Sequence, residues 1–99
     1  MRPASWKQVD ERADAIEALY RERYGRFRDG VATITRDYDA ARDVVQEAFA
    51  RALRHRRSFR GEGTLEGWVW RIVLRTAREH VRRFSISRVR ELQPGLWHW

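Results

Sequence analysis

Apolar residues recur at helical spacing along almost the whole chain, and no alternating strand pattern runs longer than a few residues. The two prolines stand near the ends, at Pro3 and Pro94, so residues 6–93 are free to be helical. Trp6, Val9, Ala13, Ile16, Tyr20 and Phe27 follow one another at steps of three, four or seven, within about 60° of arc on a helical wheel. Gly25 and Gly30 interrupt that run. They predict a kink near Tyr24-Gly25 and a second, shorter helix ending at Thr35.

Asp37-Tyr38-Asp39 reads as a turn with an N-cap, because a short carboxylate accepts hydrogen bonds from the unpaired amides of a helix start. The third helix then covers residues 40–55, with Ala41, Val44, Val45, Ala48 and Ala52 on its apolar face. Gly61 and Gly63 break the pattern, so residues 56–63 form a loop. Thr64 caps a fourth helix running to residue 83, which buries Leu65, Val69, Ile72, Val73, Ala77 and Phe84. Residues 85–99 have no clear period and read as a linker or tail. The expected fold is all-α: a small bundle of three to four helices over residues 1–84, too short for a large ligand cavity.

The chain has no cysteine, so neither a disulfide nor a thiolate metal site staples it. No apolar run approaches the roughly 20 residues of a membrane span, and the first residues hold no signal-peptide stretch. A soluble, cytoplasmic protein is expected. The net charge of +7 is unevenly spread. Residues 1–50 hold 9 basic and 10 acidic side chains, whereas residues 51–99 hold 12 basic and 4 acidic. Such asymmetry suggests that one half faces a polyanion and the other something else, although a merely basic surface reads the same way. Lys7 is the only lysine; arginine is the better phosphate binder, but a GC-rich coding genome produces the same bias.

Three constellations carry possible function. On the third helix, Asp43, Gln46, Glu47, Ala50 and Arg54 share an arc of about 100° opposite the core face, bordered by Phe49 and Leu53. That face suits docking against a basic partner helix, or is simply solvated. On the fourth helix, Arg71, Arg75, Arg78 and Arg82 form a stripe about 60° wide, with Glu79 the nearest acid and Trp68 one turn before it. Like charges on one face repel unless an anion neutralises them. An aromatic beside them is a platform for an unpaired base, or a plain core tryptophan. The loop Ser58-Phe59-Arg60-Gly61-Glu62-Gly63-Thr64 lets backbone approach a ligand, or only connects. His80 falls on a core face and His55 at a helix end, where a cation complements the dipole. No catalytic constellation, metal site or cofactor cradle is present in the sequence.

Asp43-Val44-Val45-Gln46-Glu47-Ala48-Phe49 resembles the D-x-x-Q-E-x-F signature of region 2.2 in the sigma-70 family of RNA polymerase sigma factors. Ser58-Phe59-Arg60-Gly61-Glu62-Gly63, followed by Trp68-Val69-Trp70-Arg71-Ile72, resembles a block of the extracytoplasmic-function (ECF) group, as does Leu19-Tyr20-Arg21-Glu22-Arg23-Tyr24. The resemblance covers residues 10–83 without gaps. It implies a non-enzymatic domain that docks on the β′ clamp helices of RNA polymerase, here through Asp43, Gln46 and Glu47; the shared and bordering positions of that face add Phe49, Ala50, Leu53 and Arg54. It also implies contact with the single-stranded promoter −10 element through Ser58, Phe59, Arg60, Gly61, Glu62 and Gly63 and through the helix from Trp68 to Arg75, including Arg71; the arginine stripe extends the expected DNA surface to Arg78 and Arg82. An anti-sigma factor is a further expected partner, and no membrane is. The family often carries asparagine at the position of Arg75 and continues into a second helical domain (region 4) that reads the −35 element. Its absence implies a fragment or a short homologue. Two other readings compete: a sigma-like decoy or anti-sigma-binding domain without promoter activity, and a helix-turn-helix that binds duplex DNA.

Overall fold

The computed structural model describes the backbone of residues 4–92 and the side chains of residues 11–83. Three helices pack pairwise against one another: α1 (Ala4–Thr35), α2 (Tyr38–Arg54) and α3 (Leu65–Leu92). A short 3₁₀ turn (Arg56–Ser58) leads out of α2. The expected all-α bundle of three to four helices is therefore present, with three helices among the described residues because the first two expected helices are one.

The expected kink at Tyr24-Gly25 is absent, and α1 passes through both glycines without a break. A glycine costs a helix about 1 kcal/mol relative to alanine, a local penalty that burial nearby outweighs. Phe27 and Val31, on either side of Gly30, are fully buried. Gly30 itself gives room to α3: a Cβ built there would lie 2.9 Å from Cη2 and 3.3 Å from Cζ3 of Trp70. The helix ends where Arg36 turns left-handed, at φ 58°, and its amide donates to the Ala32 carbonyl at 2.7 Å. Asp37 caps α2 as expected, its Oδ1 accepting from the amides of Asp39 at 2.9 Å and Ala40 at 3.4 Å.

The expected core face of α2 is correct: Ala41, Val44, Val45, Ala48 and Ala52 are buried. Thr64 caps α3, its Oγ1 accepting from the Gly67 amide at 3.0 Å. Val69, Val73 and Ala77 are buried, while Leu65 and Ile72 are partly buried against the core. Between the helices runs a chain of rings. Tyr20 meets Phe49 at 5.0 Å, Phe49 meets Phe27 at 5.1 Å, and Phe27 meets Trp70 at 4.3 Å. Each step crosses from one helix to another. α3 continues to Leu92, past the end expected at residue 83, so residues 85–92 are helical rather than a tail. Loss of an apolar period removes the sign of a buried stripe, not the helix, and no glycine or proline intervenes between Gly67 and Pro94. Residues 93–99, and the side chains of Trp6, Val9 and Phe84, lie outside the described residues.

The two glycines of α1 should respond oppositely to alanine. At Gly30 the added methyl meets a packed indole, and overpacking of about 1–3 kcal/mol exceeds the helix-propensity gain. At Gly25 the nearest atom is Nη2 of Arg28 at 4.0 Å, so the gain of about 0.5–1 kcal/mol stands alone. Thermal melts followed by circular dichroism should show Gly30→Ala lowering the midpoint and Gly25→Ala raising it by roughly 2–8 °C.

Candidate functional site

The outer face of α2 is laid out as its period predicts. Asp43, Gln46, Glu47, Ala50 and Arg54 are exposed, and Leu53 is half-buried. Phe49 is the most buried of the expected contact residues, and it lines a groove on this face. It is 4% exposed, its ring enclosed by Tyr20 and Phe27, so it supports this face from beneath. Position on a wheel gives an angle, and only the neighbouring helix decides whether a border residue is covered. That neighbour adds surface that the sequence did not announce. A groove of about 330 Å³ lies between α1 and α2, where Glu17, Tyr20 and Arg21 face Gln46, Ala50 and Leu53. Tyr20 belongs to the apolar run of α1, and its partial exposure is what lines this groove with an aromatic.

On α3 the stripe holds: Arg71, Arg75, Arg78 and Arg82 are all exposed and border an open trough of about 610 Å³, with Glu79 among them. A second groove, of about 520 Å³, lies where the end of α2 faces α3. Ser58, Trp68 and Arg75 line it together with Arg51, Arg54, His55 and Glu79. Arg54, expected on the polymerase face, therefore also borders the basic groove. Trp68 is half-buried, packed against the core and 5.6 Å from the ring of Phe59. Phe59 is itself half-buried, with the Arg12 guanidinium 5.7 Å from its ring centre. Phe59 thus anchors the loop to α1 and to Trp68. Arg60, Gly61, Glu62 and Gly63 are exposed and do not line the groove. Gly61 at φ 80° and Gly63 at φ 74° supply left-handed turns that other residues adopt only with strain. His55 lies just past the end of α2 as expected, and His80 is half-buried.

Between these surfaces sits Arg51, which no helical spacing or motif singles out. Its Nη2 donates to Glu47 Oε1 at 3.0 Å, and its Nη1 to Glu79 Oε2 at 2.9 Å and Thr76 Oγ1 at 3.2 Å. Thr76 is fully buried and donates its own proton to the Ile72 carbonyl at 2.8 Å. The hydrogen bond from Arg51 pulls the Glu79 carboxyl below its ordinary value. Partial burial opposes this, and the charges of Arg51, Arg83 and Arg75 add to it. Among the described residues no His, Asp and Glu cluster is arranged to hold a metal, and no helix is long and apolar enough to cross a membrane.

Residues 19–85 match the family described as Sigma-70 region 2. The chain belongs to that family. Over 51 residues it is 37% identical to the RNA polymerase sigma-H factor of Pseudomonas aeruginosa, covering 52% of this chain and 26% of that protein. Over 70 residues it is 33% identical to the RNA polymerase sigma factor YlaC of Bacillus subtilis, covering 71% of this chain and 40% of that protein. The region 2 chain thus spans well under half the length of these relatives. No solved structure matches it significantly.

The Arg51–Glu79 pair gives this region 2 domain a defined acid sensitivity. Because the Glu79 carboxyl titrates lower folded than unfolded, its contribution is fully present above the ordinary glutamate value. It is lost as pH falls through the lowered folded value. Thermal midpoints measured from neutral pH into the acid range should therefore fall less steeply for Glu79→Gln than for the unaltered chain.

Proposed function

We propose that this region 2 chain acts in transcription initiation, docking on RNA polymerase through α2 and taking up the unpaired promoter −10 strand along α3. The observation that carries this reading is the segregation of two unlike surfaces on one small bundle. Asp43, Gln46 and Glu47 present acid and amide groups on α2, beside an apolar groove. Four exposed arginines and the Trp68 groove lie along α3. An acidic, partly apolar face complements the basic clamp helices of the β′ subunit. A cationic trough beside an aromatic suits a single strand, whose phosphates need neutralising and whose bases need a stacking partner. Ser58 and Arg75 offer donors to a base edge at Trp68, so the groove is where base identity is read. The role is one of binding and positioning in the cytoplasm, with no bond made or broken by the domain itself.

The cleaner docking test is Asp43, because Glu47 also bridges to Arg51. Asp43→Arg exchanges an attraction for a repulsion at a desolvated contact, about 1–3 kcal/mol. Affinity for a β′ clamp fragment, measured by calorimetry, should fall roughly 5- to 150-fold with the thermal midpoint unchanged. Equal binding by the folded variant excludes α2 as the docking face. For the strand, Trp68→Ala should weaken binding of a −10 oligonucleotide to the polymerase-bound chain by about 1–3 kcal/mol. Arg82→Gln should shrink the slope of log affinity against log salt by about 0.7 and act alike on matched and mismatched strands. A chain that docks on polymerase but changes neither quantity is a decoy, and one that binds closed duplex specifically is a helix-turn-helix reader.

A further inference from the structure

Arg51 bonds both a residue of the proposed docking face and a residue that stands beside the arginine stripe. Glu79 lies on α3 within one helical turn of Arg75, Arg82 and Arg83, the spacing at which an acid and a base on one helix pair. A carboxylate there would be expected to neutralise one of them. It is drawn instead toward α2, where Arg51 Nη1 holds its Oε2 at 2.9 Å. The guanidinium is fixed from two further directions, by Glu47 Oε1 at 3.0 Å and by the buried Thr76 hydroxyl at 3.2 Å. Arg71, Arg75, Arg78 and Arg82 form no ion pair among the described residues.

We infer that Arg51 is a positioning residue for nucleic-acid binding: by holding the Glu79 carboxylate against α2, it keeps the arginine stripe of α3 free of internal ion pairs and open to phosphates. This rests on the reading above that the stripe meets a nucleic-acid backbone. Arg51 borders the Trp68 groove, but the role inferred for it acts through Glu79 and not through a bond to the strand. Its side chain is only 25% exposed, and its donors already serve two carboxylates and a hydroxyl. Removing it releases an acid among the arginines, so the loss is felt as one fewer cation offered to the strand. The rescue is equally defined, since removing the released acid restores the stripe.

The test is a salt titration of the full chain against a fluorescein-labelled single-stranded −10 oligonucleotide, read by fluorescence anisotropy. Arg51→Met should shrink the slope of log affinity against log salt by about 0.7, as Arg82→Gln does. The double variant Arg51→Met with Glu79→Gln should return the slope to that of the unaltered chain. Glu79→Gln alone should leave it unchanged, because that carboxylate, although it borders the trough, is already paired with Arg51. An unchanged slope in Arg51→Met overturns the inference. So does a double variant as impaired as the single one, which would make Arg51 a direct contact of the strand. Should Arg51→Met fail to fold, Glu79→Gln decides: a slope larger by about 0.7 means that Glu79 was neutralising the stripe, which also overturns the inference. An unchanged slope in Arg82→Gln instead removes the underlying reading of the stripe, and the role of Arg51 falls with it.

Discussion

The ring of Phe27 is the point on which the bundle turns. It is fully buried on α1, and it meets Phe49 of α2 edge-on at 5.1 Å and Trp70 of α3 at 4.3 Å. Aromatic pairs of this kind add roughly 0.5–1.5 kcal/mol each beyond the area they bury, and they prefer particular angles. A helix that must present Phe49 inward has its opposite face fixed as well. With Phe49 under α1, Asp43, Gln46 and Glu47 point outward. With Trp70 against Gly30, the arginines of α3 face solvent. One apolar contact thus orients two polar surfaces.

Those surfaces carry charge of opposite sign on adjacent helices, and a small domain has little distance to keep them apart. Opposite charges a few ångströms apart at a surface interact by up to a few kcal/mol, and salt weakens this. Left alone, acids of one face would neutralise cations of the other. The fold places a single buffer between them: Arg51 takes up Glu47 on one side and Glu79 on the other. The buried Thr76 hydroxyl adds direction to what would otherwise be a loose surface pair. That geometry sets this contact apart from Arg42–Asp39 at 3.8 Å, an exposed pair of the kind worth little.

Features confined to one helix were legible in the sequence. The caps at Asp37 and Thr64, the buried face of α2 and the arginine stripe each depend on local spacing, which a period of 3.6 residues reports directly. Features requiring two helices were not. Gly30 reads as a helix breaker until Trp70, far along the chain, is brought against it. Phe49 reads as a border residue until Tyr20 and Phe27 cover it. Arg51 has Glu47 at the familiar spacing of four, but its stronger tie to Glu79 crosses from α2 to α3 and leaves no local trace. The extension of α3 was missed for a different reason, because periodicity detects a buried stripe and is silent about a helix that lacks one.

The contact between Gly30 and Trp70 also bears on how such a domain can change over generations. A side chain can grow at position 30 only where the indole at position 70 has first given way. An indole lost at position 70 alone would leave a void beside Phe27. Neither residue is free to drift by itself, although about forty positions separate them. The two form one heritable unit, in which a neutral path must pass through a compensating pair rather than through either single replacement.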